Sequence, residues 1–187
     1  MNIAIYSTKG GVGKTSLAYS LSRDLNLRYV TNDITESALK SNSKIYSKKI
    51  PLHDNVFYDF GGFEDEDAYN IASSVDLVIV PTICEMNSLF KAIRTIKKIK
   101  NENILVIATM TDKEQDFEQV KMVIKKYFPK IKVLSFRRNK LLKNSMEKNK
   151  SAFEFMKETK NKQHLFKNAF SDYLNIIKEI SNIKAQN

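Results

Sequence analysis

The chain has 187 residues, a formal net charge of +10 and one cysteine, Cys84. A chain of this length can bury a substantial core as one domain, and a lone cysteine excludes an intramolecular disulfide. No apolar run approaches the length of a membrane span, so we expect a soluble protein in a reducing, cytoplasmic compartment.

The charge is concentrated in one half of the sequence. Residues 1–90 carry 8 lysines and arginines against 11 acidic residues, whereas residues 91–187 carry 23 against 10. The first half therefore has a net charge of −3 and the second a net charge of +13. A strongly basic half indicates an anionic partner.

Apolar runs alternate with helical patterns along the whole chain. The predicted strands are 2–7, 28–32, 55–60, 76–81, 103–109 and 131–136. The predicted helices are 14–26, 64–73, 86–101, 113–127 and a wholly helical C-terminal part at about 139–184. A loop is expected around 40–49. This alternation predicts an α/β fold, a doubly wound, mostly parallel sheet with helices on both faces, in a single domain of residues 1–187.

The first predicted strand runs directly into a glycine-rich segment, Thr8-Lys9-Gly10-Gly11-Val12-Gly13-Lys14-Thr15-Ser16. Glycines let main-chain N–H groups approach phosphate oxygens at the start of a helix. We expect Lys14 to reach the β- and γ-phosphates and the Thr15 hydroxyl to hold Mg²⁺. A plain strand-to-helix turn is the alternative, but it does not require this lysine and hydroxyl. The predicted nucleotide-binding residues are Lys9, Gly10, Gly11, Val12, Gly13, Lys14, Thr15 and Ser16.

Two positions depart from the standard phosphate-loop pattern. Thr8 stands where that pattern has glycine, and Lys9 adds a second lysine. With this lysine the segment resembles the deviant Walker A motif of the ParA/MinD family of P-loop ATPases, and is most similar to small ParA-type partition ATPases. The resemblance implies an ATPase that uses ATP and Mg²⁺ and forms a homodimer on binding ATP. In such a dimer Lys9 reaches the partner subunit's nucleotide, so Lys9 and Lys14 are its implied catalytic residues.

An aspartate ends the predicted strand 55–60. Such an acid is typical of a Mg²⁺ site, so Asp59 is predicted to hold the metal directly or through water. Gly61 and Gly62 then permit the next segment to move with the γ-phosphate. The alternative is that Asp59 caps helix 64–73.

A second aspartate follows the predicted strand 28–32. Members of the family have an Asp-x-Asp-Pro-Gln motif here, and the resemblance implies that Asp33 is catalytic and activates the attacking water. This chain has Thr31 in place of the first acid and Ile34-Thr35 in place of Pro-Gln. A helix N-cap is the alternative role for Asp33.

The acidic run at 64–67 has the density of a metal cluster, but acids in a first helical turn are favoured by the helix dipole. We therefore interpret it as the start of helix 64–73. His53 and His164 have no second ligand at metal-binding spacing, so neither is assigned a role.

The basic residues are densest between Lys121 and Lys162, a stretch that contains 14 lysines and arginines but only three glutamates. This density suits the phosphate backbone of nonspecific DNA, although a solvated helical face is the alternative. The resemblance to partition ATPases also implies nonspecific DNA binding and a ParB-like or other adaptor protein that stimulates hydrolysis. The predicted DNA-binding residues are Arg137, Arg138, Lys140, Lys143, Lys148 and Lys150.

DNA partition or segregation is therefore the predicted function, with nucleoid association if DNA binds. One alternative is a MinD-like positioning ATPase that binds membranes through an amphipathic C-terminal helix, for which Phe166, Phe170, Tyr173, Leu174, Ile177 and Ile180 supply an apolar stripe. The width of this stripe favours packing on the sheet, so membrane binding is not expected. A second alternative is a nucleotide-binding scaffold with little or no hydrolysis, suggested by the altered sequence around Asp33.

Overall fold

The computed structural model describes residues 1–32, 44–45, 54–62 and 64–186. The strands in these ranges are β1 (Ile3–Ile5), β2 (Arg28–Thr31), β3 (Lys44–Ile45), β4 (Val56–Asp59), β5 (Leu77–Thr82), β6 (Ile104–Thr111) and β7 (Lys132–Arg137). The helices are α1 (Lys14–Asp24), α2 (Glu66–Ser74), α3 (Met86–Lys98), α4 (Glu114–Tyr127), α5 (Leu141–Glu147), α6 (Ala152–Lys157), α7 (Lys160–Leu165) and α8 (Lys167–Gln186). All the predicted strands are present, within one or two residues of their expected ends.

The strands form one seven-stranded sheet in the order β3-β2-β4-β1-β5-β6-β7. Every neighbouring pair is parallel. Alternate residues of each strand point to opposite faces, so Ala4 and Tyr58 pack with α2, α3 and α4, whereas Ile5 and Phe57 pack with α1, α5, α6 and α8. The doubly wound α/β fold is confirmed.

One prediction about local structure was wrong, since Lys44–Ile45 pairs with β2 in a segment expected to be a loop. The C-terminal part is helical, as predicted, and is divided into four helices. The Ser151 and Thr159 side chains each accept hydrogen bonds from backbone N–H groups and begin α6 and α7.

The apolar stripe of the C-terminal helix lies mainly against the sheet. Phe166, Tyr173 and Ile180 are buried there, whereas Leu174 is 40 % exposed. In the part of the chain that the structure describes, no helix is long and apolar enough to cross a membrane. The buried members of the stripe are core packing, as the width of the stripe indicated.

The centre of the sheet determines where a ligand can bind. Ile5, the last residue of β1, pairs with Asp59 of β4 on one side and with Ile79 of β5 on the other. Because all strands are parallel, their carboxyl ends meet at one edge, where open α/β sheets bind ligands. The segment after β1 and the end of β4 are thus brought together at this edge.

Candidate nucleotide-binding site

Residues 8–16, which we call the phosphate loop, turn from β1 into α1. Gly11 and Gly13 have φ angles of +77° and +80°, in a region that other residues adopt only with strain. Gly13 is the N-cap residue of α1, and its lack of a side chain leaves the first N–H groups of the helix uncovered. The loop therefore has the geometry of an anion site at a positive helix end.

A cavity of about 660 Å³ opens beside the phosphate loop and is within the range of small-molecule sites. Gly10, Gly11, Gly13, Lys14 and Thr15 all line it. The far wall is formed by the end of β7 and by α5, including Phe136, Arg137, Arg138, Asn139, Leu142 and Lys143. Six of the eight predicted nucleotide-binding residues line this cavity, whereas Lys9 and Val12 do not.

The two lysines of the phosphate loop occupy different surroundings. Lys14 lines the cavity, is 8 % exposed, and its Nζ donates a hydrogen bond to the Lys9 carbonyl oxygen at 3.0 Å. The Lys9 side chain is not part of the cavity lining, and its Nζ lies 3.9 Å from Oε2 of Glu85, just before α3. Of the two lysines in the phosphate loop, Lys14 thus lies in the cavity and Lys9 lies outside it.

Distant side chains hold the phosphate loop in place, and the sequence motif does not include them. The Thr109 Oγ1 lies 3.0 Å from the Val12 carbonyl oxygen and 3.2 Å from that of Thr82. Lys91 Nζ donates to the Thr8 carbonyl oxygen at 3.4 Å. These contacts join residues up to 97 positions apart, so no local pattern predicts them.

Asp59 is the last residue of β4 and is 1 % exposed. The Tyr29 hydroxyl donates a hydrogen bond to its Oδ2 at 2.6 Å. Asp65 rather than Asp59 caps the next helix, accepting from the Asp67 N–H at 2.9 Å, so the capping alternative for Asp59 was wrong. Asp33 lies outside the described residues.

The residues present are of the kinds that Mg·ATP requires. Asp59 is a carboxylate buried at the carboxyl end of β4, Thr15 provides a hydroxyl in the first turn of α1, and Lys14 provides a cation in the cavity, although Asp59 itself is not among the residues that line the cavity. Among the residues that the structure describes, no group of three or more His, Cys, Asp or Glu could hold a metal on its own. In the acidic run, Asp65 is the N-cap of α2 and Glu66 and Asp67 lie in its first turn, whereas Glu64 precedes the cap and pairs with Arg94 and Lys98.

The segment after β4 lies against the phosphate loop. A Cβ added to Gly62 would lie 3.1 Å from the Gly10 nitrogen and 3.4 Å from Lys14 Nζ, which explains the need for glycine here. The Asn32 side chain accepts from the Gly61 N–H at 2.7 Å and donates to Asp65 at 3.3 Å. Sequence reasoning did not identify this bridge from the end of β2.

Several predicted DNA-binding residues are engaged in ion pairs. Arg137 makes a two-point contact with Asp172, with distances of 2.7 and 2.9 Å, which raises the pKa of the guanidinium. Arg138 pairs with Asp112 at 2.8 Å. Lys143 lies 3.9 Å from Glu147, and Lys150 contacts Glu158.

The remaining two, Lys140 and Lys148, have no carboxylate within 4.0 Å among the described residues. Lys148 lies over the Phe155 ring at 5.7 Å from its centroid. Three of the six, Arg137, Arg138 and Lys143, line the nucleotide cavity. DNA binding by the six residues stays a prediction.

A parallel sheet, a glycine loop leading into a helix and a lysine inside the adjoining cavity define a P-loop nucleotide-binding domain. The profile of the CobQ/CobB/MinD/ParA nucleotide binding domain matches residues 3–153, and the chain belongs to this family. The resemblance identified from the phosphate loop is thereby confirmed. No curated protein matches the sequence significantly.

Solved structures show the same fold at low sequence identity. A Cyanothece McdA variant in complex with ATP has 10 % identity and a TM-score of 0.73, with 96 % of each chain covered. MinD from Pyrococcus horikoshii in complex with Mg-ADP has 15 % identity and a TM-score of 0.61, with 98 % of each chain covered. A ParA family ATPase from Chlorobium tepidum has 13 % identity and a TM-score of 0.59, covering 84 % of this chain and 93 % of that one.

Proposed function

We propose that this protein is a switch ATPase that dimerises on binding Mg·ATP, binds nonspecific DNA and acts in DNA partition. One observation supports it above the others: Lys14 lines the nucleotide cavity while Lys9 of the same loop lies outside it. A lysine held at the outer face of the loop is available to a second subunit's nucleotide, whereas one inside the cavity serves its own. The ATP and Mg-ADP complexes of McdA and MinD support the choice of ligand.

Each residue has a defined task in this proposal. The loop N–H groups and Lys14 hold the phosphates, while Thr15 and Asp59 hold Mg²⁺. Mg²⁺ held there would supply positive charge against the charge that develops on the γ-phosphate during hydrolysis. Asp33 activates the attacking water, and Lys9 of the partner subunit completes the site, so hydrolysis is slow until two subunits meet.

The surface around Lys9 supports a second copy as the partner. Met86 and Phe90 at the start of α3 are 66 % and 59 % exposed, and Glu85, which faces Lys9, directly precedes them. Exposed large apolar side chains near a site are typical of protein interfaces. Phe90→Asp should therefore abolish ATP-dependent dimers in light scattering, while Met122→Asp on the exposed face of α4 should leave them intact.

The proposed ATPase is tested by phosphate release with and without duplex DNA. We expect slow release by the wild-type protein, stimulated by DNA or by an adaptor protein. Asp33→Ala should keep ATP-dependent dimers but stop turnover. If the wild-type protein forms ATP-dependent dimers but releases no phosphate, the proposed ATPase activity is contradicted and a nucleotide-binding scaffold is favoured. If Asp33→Ala releases phosphate at the wild-type rate, another group activates the water.

A further inference from the structure

A second cavity of about 420 Å³ lies on the C-terminal helices, away from the phosphate loop. It runs between α6, the end of α7 and the first half of α8, and we call it the C-terminal groove. Its lining residues are Phe153, Met156, Lys157, Gln163, Lys167, Phe170, Ser171 and Leu174. None of them belongs to the nucleotide cavity.

The floor of the groove is apolar. The Phe153 and Phe170 rings meet edge to face with centroids 5.3 Å apart, and Met156 is almost fully buried beside them. Leu174 stands on the rim with 40 % of its surface exposed. Binding of apolar side chains to such a surface is favourable because it removes apolar area from water. The flexible methionine side chain can adapt to apolar groups of different shapes.

The rim of the groove is positively charged. Among the described residues, no carboxylate lies within 4.0 Å of Lys157 or Lys167. The acids on or next to these helices are already paired, Glu154 with Arg23, Glu158 with Lys150 and Lys162, Asp172 with Arg137, and Glu179 with Lys132. The two rim lysines are therefore available to external carboxylates.

We infer that the C-terminal groove binds an acidic amphipathic helix of a partner protein. Apolar side chains one helical turn apart would enter the floor between Phe153, Met156 and Phe170, and flanking carboxylates would meet Lys157 and Lys167. A duplex DNA backbone has phosphates for the lysines but no apolar group for the floor. A lipid surface is flat, whereas the groove is concave.

The groove is connected to the nucleotide site through α1, which begins at Lys14. At the other end of α1, Asp24 Oδ2 accepts hydrogen bonds from the Tyr173 hydroxyl at 2.8 Å and the Phe153 N–H at 3.4 Å. The Phe170 ring stacks on Tyr173 with an interplanar angle of 20°. A bound helix would thus touch the residues that hold the far end of the phosphate-loop helix. The bound helix would therefore alter nucleotide exchange, a consequence that rests on the proposed function.

The test uses the whole protein and a displayed library of random peptides of about 16 residues, enough for about four helical turns. The groove variant is Leu174→Glu with Lys167→Glu. The matched control is Asn175→Glu with Lys178→Glu, which makes the same charge change at exposed positions of α8 outside the groove. Thermal melting establishes that both variants fold.

We expect selected peptides to combine apolar residues three or four apart with aspartate and glutamate. Fluorescence polarisation without nucleotide should show binding that is about 10-fold or more weaker for the groove variant and unchanged for the control, an effect of about 1.4 kcal/mol. Basic selected peptides, or equal binding to both variants, would overturn the inference. The inference would also be overturned if no peptide bound, while single-stranded DNA or phosphatidylglycerol vesicles bound the wild-type protein more tightly than the groove variant.

The link to the nucleotide site has its own readout. The selected peptide should change the dissociation rate of a mant-labelled ATP by about 5-fold or more, and this effect should vanish in the groove variant. Peptide binding without any nucleotide binding by the wild-type protein would contradict the proposed function and leave the groove assignment standing. An unchanged rate in a protein that binds both ligands would contradict the link through α1.

Discussion

The phosphate loop and the basic C-terminal region are built in different ways. The loop depends on main-chain geometry, with positive φ angles at Gly11 and Gly13 and a lysine that folds back onto a carbonyl five residues away. The basic region depends on side chains that meet partners far along the chain, such as Arg137 with Asp172, 35 residues apart. The chemistry of the loop can be predicted from its local sequence. The number of lysines and arginines in the basic region that are left without an ion-pair partner depends on distant residues, so the local sequence does not predict it.

The largest expected effect concerns the loop. Lys14→Ala removes the cavity lysine and should weaken ATP binding by about 30- to 150-fold, or about 2 to 3 kcal/mol, because charged hydrogen bonds to the phosphates are lost. Isothermal titration calorimetry measures this directly. Lys126→Ala, at an exposed position of α4, is the control. Normal ATP affinity in Lys14→Ala would contradict the assignment of this cavity as the ATP-binding site.

The next prediction concerns the basic region. Lys140→Glu combined with Lys148→Glu should weaken DNA binding and reduce the slope of log affinity against log salt by about 2, one unit for each phosphate contact. Mobility shifts at several salt concentrations measure the slope. Lys100→Glu with Lys184→Glu makes the same change in charge at exposed positions elsewhere. Equal slopes in the two double variants would mean that DNA does not bind at Lys140 and Lys148.

This design avoids Arg137 for a physical reason. An acid at that position would stand beside Asp172, whose side chain also accepts the Arg137 backbone N–H at 3.1 Å. Two adjacent carboxylates would destabilise the packing of α8 on β7, so reduced DNA binding would report unfolding as well as lost contacts.

A pair of glycine substitutions sharpens the argument about backbone geometry. Gly13→Ala forces a side chain to a φ of +80° and should lower the free energy of unfolding by about 1 to 2 kcal/mol. Gly10→Ala should change it by less than about 0.5 kcal/mol, since its Cβ would meet no atom within 4 Å. Urea denaturation without nucleotide compares them. Equal losses would show that strain at Gly13 is not what requires glycine.

The smallest expected effect tests the contact that holds the loop from outside. Thr109→Val keeps the shape but leaves the buried Val12 carbonyl without its donor, at a loss of about 1 kcal/mol in unfolding free energy and a few-fold in ATP affinity. Thr109→Ser keeps the hydroxyl and should preserve ATP affinity. Calorimetry on both variants decides whether the hydroxyl or the packing of Thr109 positions the loop.

The sequence predicted those features that depend on local pattern. Strand and helix order, the glycine geometry and the position of Asp59 all follow from short segments, and the structure has them where expected. The hydrogen bond from Tyr29 to Asp59 joins residues 30 apart, and the Asn32 bridge to Gly61 joins residues 29 apart. The Tyr127 side chain is 47 % exposed and lies under the Lys97 ammonium. Such outcomes depend on tertiary packing, which periodicity alone does not contain.

The position of β1 at the centre of the sheet has a consequence for protein synthesis. Its two neighbours are β4 and β5, so β1, the first of these strands to be made, has no sheet partner until residues 56–59 have followed, and only one until residues 77–82 have followed. At translation rates of roughly 5 to 20 residues per second, the wait for both neighbours is roughly 4 to 15 seconds. An apolar strand and its phosphate loop must therefore wait during synthesis for the strands that will enclose them.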